Sequence, residues 1–148
     1  MTGPPRDQRV LITGASGFVG SHVADVMSEA GWKVRCLVRP TSSRRWLEHL
    51  PVEYALGDVS SEAGLDAACE GCDAVVHSAG VTNAIRNQDY FEVNARGTDR
   101  IWRAAERSGA RRFLLVSSLA AAGPSPTSTP QDESAEPHPI NVNGRSKL

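Results

Sequence analysis

Three glycines at positions 14, 17 and 20, within the run Thr13–Gly20 (TGASGFVG), constrain this chain more than any other feature. An apolar run, Arg9–Thr13, stops at the first of them. After them comes a segment whose apolar residues Val19, Val23, Val26, Met27 and Ala30 recur mostly at steps of three and four, ending at Gly31. The order is strand, tight turn, helix. Gly14 permits the turn, Gly17 lets backbone approach a pyrophosphate, and Gly20 lets helix and strand pack closely. The free N–H groups of the first helical turn, at the positive end of the helix dipole, then face the phosphates. The spacing predicts a dinucleotide site built on Gly14, Ser16, Gly17, Phe18, Val19 and Gly20.

The rest of the chain repeats this alternation. Further short apolar runs lie at Lys33–Val38, Val52–Leu56, Ala74–His77 and Arg112–Ser117, as expected of strands buried on both faces. A second helical pattern runs from about Asp89 to Ser108, with Phe91, Ala95, Ile101, Ala104 and Ala105 as its apolar members, and ends at Gly109. Repeated strand–helix–strand units imply an α/β, Rossmann-like, doubly wound parallel sheet, strand order 3-2-1-4-5. A length of 148 residues suits one domain, 1–148. Residues 119–140 differ, with Gly123–Pro130 and Pro137–Pro139 marking one long surface loop, a composition that otherwise suggests a linker.

Charge excludes several classes of partner. With 16 basic and 17 acidic residues the net charge is −1, so nothing calls for nucleic acid or a membrane surface. No apolar stretch approaches the roughly 20 residues that span a bilayer. The segment Met1–Arg9 is polar and lacks the apolar core of a signal peptide, so a cytoplasmic location is expected. Three cysteines, an odd number, argue against a disulfide framework. Cys69 and Cys72 form a single CxxC, whereas a structural zinc site wants about four ligands. They read as small apolar residues flanking a turn through Gly71, and no metal is expected.

Further segments follow in a fixed order: Gly57-Asp58-Val59 after the third run, His77-Ser78-Ala79-Gly80 after the fourth, the helical Val93-Asn94 with Gly97-Thr98, Val116-Ser117-Ser118 after the fifth, and Gly144–Lys147. Together with TGASGFVG, this series resembles the extended short-chain dehydrogenase/reductases, a group that includes epimerases, dehydratases and dihydroflavonol-reductase-like enzymes. The resemblance implies that Asp58 lies by the adenine, that Ser78, Ala79 and Gly80 lie beside the cofactor ribose, and that Val59 and Asn94 also bind the cofactor. Ser117 and Lys147 also face the cofactor. It implies hydride transfer at a secondary alcohol, ketone or nucleotide-sugar carbon, with a small-molecule substrate. It also implies a C-terminal substrate-binding part beyond Leu148. Without that part, the fifth strand has an open edge that suits pairing with another copy.

Two positions set expectations about chemistry. Members preferring NAD carry an acid at the end of the second strand; that place is Val38 here, followed by Arg39, with Thr41, Ser42, Ser43 and Arg44 beyond. A guanidinium with hydroxyls nearby suits a 2′-phosphate, so NADP is expected over NAD. In the family a Ser, a Tyr and a Lys carry catalysis, and Ser118 and Lys147 match two of them. The Tyr position is Asn143, a carboxamide that polarises a carbonyl but does not titrate near neutral pH. The leading reading is an oxidoreductase or epimerase; the alternative is an impaired cofactor-binding sensor or scaffold. Asn143 is also a candidate N-cap for the helix carrying Lys147, and Tyr90, one turn before Asn94, a candidate substitute phenol.

Overall fold

The computed structural model describes residues 7–125, 128 and 130–148. Residues 1–6 of the polar N-terminal segment, and 126, 127 and 129 of the expected loop, lie outside the described residues. Strands β1 (Arg9–Thr13), β2 (Lys33–Val38), β3 (Glu53–Leu56), β4 (Ala74–His77) and β5 (Arg112–Leu115) form one parallel sheet in the order β3-β2-β1-β4-β5. This is the doubly wound arrangement expected from the alternation. Thr13 pairs with Leu37 on one side and His77 on the other, so the C-terminal ends of the central strands are level.

Successive strand residues point to opposite faces, and each face has its own core. On one, Leu11, Leu37 and Val75 pack with Leu65 of α2 (Leu65–Cys69) and Ile101, Ala104 and Ala105 of α4 (Gly97–Arg107). On the other, Val10, Ile12, Cys36 and Val76 pack with Ala24 of α1 (Phe18–Glu29) and with Leu47. Both-face burial holds for the central β1 and β4 but not for β3 or β5, whose residues are mostly exposed because each has one strand neighbour.

Three expectations are corrected. The buried stripe of α1 is Gly20, Ser21 and Ala24, while Val19 and Val26 are exposed, because the contact of Gly20 with the backbone of Gly14 and Ala15 fixes the helix rotation. The second helix is not one α-helix: α3 (Asn87–Tyr90) passes into a π-helical turn, Phe91–Arg96, and then into α4. That change of winding leaves Phe91 and Ala95 exposed and turns Asn94 inward. Residues 119–140 do not form one loop from end to end, since α5 (Leu119–Ala122) opens the segment, capped by Ser118. The chain returns by a hydrogen bond from His138 N to Ala122 O, and α6 (Val142–Lys147) packs beside α5.

Candidate functional site

A cleft of about 410 Å³ opens at the C-terminal edge of the sheet. It lies where the connections from β1 and β4 part to opposite faces, the switch point at which such sheets bind ligands. Gly14, Ser16 and Gly17 line it after β1, Arg39 after β2, Asp58 and Val59 after β3, and Ser78, Ala79 and Gly80 after β4. The structure thus gathers these nine expected residues around one space. It adds Leu37, Ser42, Gly57, Ser60, Val81 and Val93, which adjoin the expected segments in sequence.

The glycine turn is built by geometry that only glycine meets. Gly14 has φ +69°, and a β-carbon there would fall 2.6 Å from Ala79 N. Gly20 is buried and closes the turn against Gly14 and Ala15, outside the cleft lining. At Gly17 a β-carbon would meet only the Gly14 carbonyl, at 3.3 Å, and otherwise open space. Gly17 is also the N-cap of α1 and offers no side-chain cap, and the first turn has no acidic residue. The first-turn amides at Phe18, Val19 and Gly20 thus keep their donors for an anion, in a positive local field. Phe18 and Val19 are exposed and lie outside the cleft lining.

Val38, at the end of β2, is buried and its side chain offers no acceptor, whereas Arg39 is exposed at the cleft, its backbone N–H bonded to Ser42 Oγ (3.3 Å). Asp58 Oδ1 accepts from Ser60 N and Ser60 Oγ, so this carboxylate shapes its own turn while lining the cleft.

Beyond β4, one buried side chain organises several segments. The Asn94 carboxamide accepts from Val81 N (2.8 Å) and donates to Val81 O (3.0 Å) and Ser146 Oγ (2.9 Å). Ser146 donates to Asn143 O. Lys147 shares this space: a β-carbon on Gly80 would lie 2.5 Å from Lys147 Nζ and 2.9 Å from Asn94 Oδ1. Burial lowers the Lys147 ammonium below its ordinary value. Ser117 Oγ donates to Lys147 O (3.0 Å), and Ser118 Oγ accepts from Ala120 N (3.1 Å), leaving its own proton to donate. Ser118, Asn143 and Lys147 are thereby carried on the packed pair α5 and α6; none of the three lines the cleft, and only Lys147 approaches it, beside Gly80.

Two expectations fail here. The N-cap of α6 is Asn141, which accepts from Gly144 N (2.7 Å), because it sits in extended conformation at the helix boundary. Asn143 lies inside the helix, and its Oδ1 is buried with no hydrogen-bond partner among the described residues. The Tyr90 hydroxyl is engaged elsewhere, accepting from Ala84 N (3.1 Å) and donating to Thr82 O (3.3 Å), so it braces the loop after β4.

Cys69 and Cys72 are buried core thiols around the turn at Gly71. Burial pushes Cys69 up to about 12 and Cys72 upward as well, which suppresses the thiolate that redox or metal chemistry needs. Among the described residues no cluster of metal-ligating side chains occurs, and no helix is long and apolar enough to cross a membrane.

Sheet order, glycine turn and cleft together define the class of Rossmann-like dinucleotide-binding domains. Residues 10–148 match the NAD dependent epimerase/dehydratase family, and the chain belongs to that family. Ceramide reductase of Caulobacter vibrioides is 39% identical over 116 residues, 78% of this chain and 36% of that protein. The crystal structure of gox2253 superposes with a TM-score of 0.88 at 34% identity, covering 95% of this chain and 44% of that one. A short-chain dehydrogenase/reductase superfamily protein from Agrobacterium tumefaciens, solved with bound NAD, gives 0.81 at 28% identity, with 95% and 42% covered. The chain spans less than half the length of these relatives.

Proposed function

We propose that this chain is the nicotinamide-dinucleotide-binding part of a short-chain dehydrogenase/reductase that prefers NADP(H) and acts at a secondary alcohol or ketone carbon. The observation that carries this reading is the cleft: a glycine turn whose Gly17 faces open space, opposite an exposed Arg39 at the end of β2. The residues fit such a cofactor. The first turn of α1 would hold the pyrophosphate, Asp58 and Val59 the adenine, and Lys147, with Ser78–Gly80 and Asn94 nearby, the ribose on the nicotinamide side. Arg39 and Ser42 would hold the 2′-phosphate, since a planar guanidinium pairs well with phosphate oxygens. When bound, the nicotinamide supplies or accepts the hydride. Ser118 would hold the substrate oxygen by a hydrogen bond from its hydroxyl, and the Lys147 ammonium would stabilise negative charge nearby. The apolar helix Leu119–Ala122 beside Ser118 favours a small alcohol or carbonyl substrate over a sugar. Ceramide reductase, a relative, is by its name a reductase.

Asn143 favours a second reading, a protein that binds the cofactor without efficient turnover. General acid–base catalysis is worth about 10²–10⁴-fold, and a carboxamide does not supply it. Its Oδ1 is buried with no hydrogen-bond partner among the described residues, and leaving such an atom unpaired costs about 1–3 kcal/mol. The experiment is Asn143→Tyr in the full-length protein: a rise in turnover of an alcohol or ketone panel supports the enzyme. No rise, with NADPH binding intact, supports the sensor.

Three buried free thiols suit a cytoplasmic setting.

A further inference from the structure

Beneath the cleft runs a chain of hydrogen bonds whose direction is fixed at every link. Thr98 Oγ1 donates to Asn94 O (2.6 Å), the carbonyl of the π-helical turn, and so has only lone pairs left for His77 Nε2 at 2.9 Å. His77 is therefore protonated at Nε2 and accepts at Nδ1, where Thr13 Oγ1 lies 2.6 Å away. Thr13 in turn accepts from Ala79 N (3.2 Å). The relay runs one way, from Ala79 N–H through Thr13, His77 and Thr98 to Asn94 O, and bonds aligned in this manner polarise one another.

The relay ends on the residue that places the ammonium. Asn94 is clasped to Val81 on one side and Ser146 on the other, and its Oδ1 borders the space that holds Lys147 Nζ. The backbone of Asn94 lies in a π-helical turn, where regular hydrogen bonding is disturbed, so the hydroxyl of Thr98 supplies a fixed anchor for its carbonyl. Thr98 is itself half-buried at the start of α4 and outside the cleft lining.

We propose that Thr98 is a positioning residue for Lys147: held by neutral His77, it sets the π-helical turn so that Asn94 and Gly80 confine the ammonium at the cleft. The side chain of Thr98 lies outside the cleft lining, and its hydrogen bonds run to Asn94 and His77. Because the relay is complete in the protein without nucleotide, a failed nucleotide titration would leave this inference standing while removing the function proposed above.

The chain has two lysines, Lys33 and Lys147, and exposed Lys33 serves as an internal reference. Competitive acylation of the protein across a pH series, read by mass spectrometry, reports the acidity of each. In Thr98→Val the labelling midpoint of Lys147 should move up towards the ordinary lysine value, and Thr98→Ser, which restores the hydroxyl, should return it to the wild-type value. A Lys147 midpoint that stays put in folded Thr98→Val overturns the proposal. Wild-type protein carrying isotopically labelled histidine gives a check that needs no variant. Nitrogen resonances showing His77 neutral with its proton on Nε2 are expected, and a proton on Nδ1 would overturn the relay.

Discussion

The ammonium of Lys147 lies where residue 80 could carry no side chain: a β-carbon built on Gly80 falls 2.5 Å from Nζ. A loop after β4 and a helix more than sixty residues later therefore share one small volume, and glycine is what leaves room for the charge.

Gly80→Ala should push the end of the Lys147 side chain aside and press on the clasped Asn94 carboxamide, at a moderate loss of stability. The variant should bind NADPH about tenfold more weakly, the worth of one charge-assisted hydrogen bond of about 1.5 kcal/mol. Fluorescence titration alongside a melting curve checks both halves. Unchanged affinity in a stable variant would remove Lys147 from the nucleotide site.

Arg39→Ala should separate the two nicotinamide cofactors. Losing a guanidinium partner to phosphate costs about 1.5–3 kcal/mol, so NADPH affinity should fall at least about tenfold while NADH affinity holds. Calorimetry with both nucleotides reads this directly. Equal losses for the two would mean that Arg39 does not contact the 2′-phosphate.

His77 should make stability pH-dependent in a defined window. Burial first, and the Lys147 charge second, push its folded value down to about 4 from 6.5. Above pH 6.5 both folded and unfolded chains hold it neutral, and its contribution is complete. Between 6.5 and about 4 the unfolded chain binds a proton that the folded chain refuses, so stability is lost as pH falls. By about pH 5 the loss should reach roughly 2 kcal/mol, at about 1.4 kcal/mol per unit. Lowered carboxylates such as Glu53 act only as pH falls past their ordinary value of 4.5, which leaves the upper part of the window to His77. Urea unfolding at a neutral and a mildly acidic pH measures the difference; equal stabilities would show that His77 accepts a proton in the folded state.

Much of the candidate site was legible because it consists of short motifs at strand ends. A strand that stops at glycine must place the next residues at the sheet edge, so Gly14, Arg39, Asp58 and Gly80 met at one cleft once the strand order was known. The hydroxyl of Tyr90 and the cap of α6 were not legible. Spacing allowed Tyr90 to face the site and Asn143 to cap the helix, but hydrogen bonds to Thr82 and Ala84, and the extended backbone at Asn141, decided otherwise. The role of Thr98 had no local signal, because its partner His77 is 21 positions away in sequence.

The sequence by itself determined the alternation of strands and helices and the glycine turn, both of which follow from local rules: apolar periodicity and the freedom of a residue without a β-carbon. It also determined that residue 143 carries an amide, a group that does not titrate near neutral pH. Tertiary structure alone decided which face of each helix is buried, since the rotation of α1 is set by the contact of Gly20 with Gly14. It likewise decided the state of His77 and the place of Lys147. Protonation and side-chain position answer to the dielectric and to hydrogen-bond partners, and those are assembled only when strands and helices distant in the chain pack together.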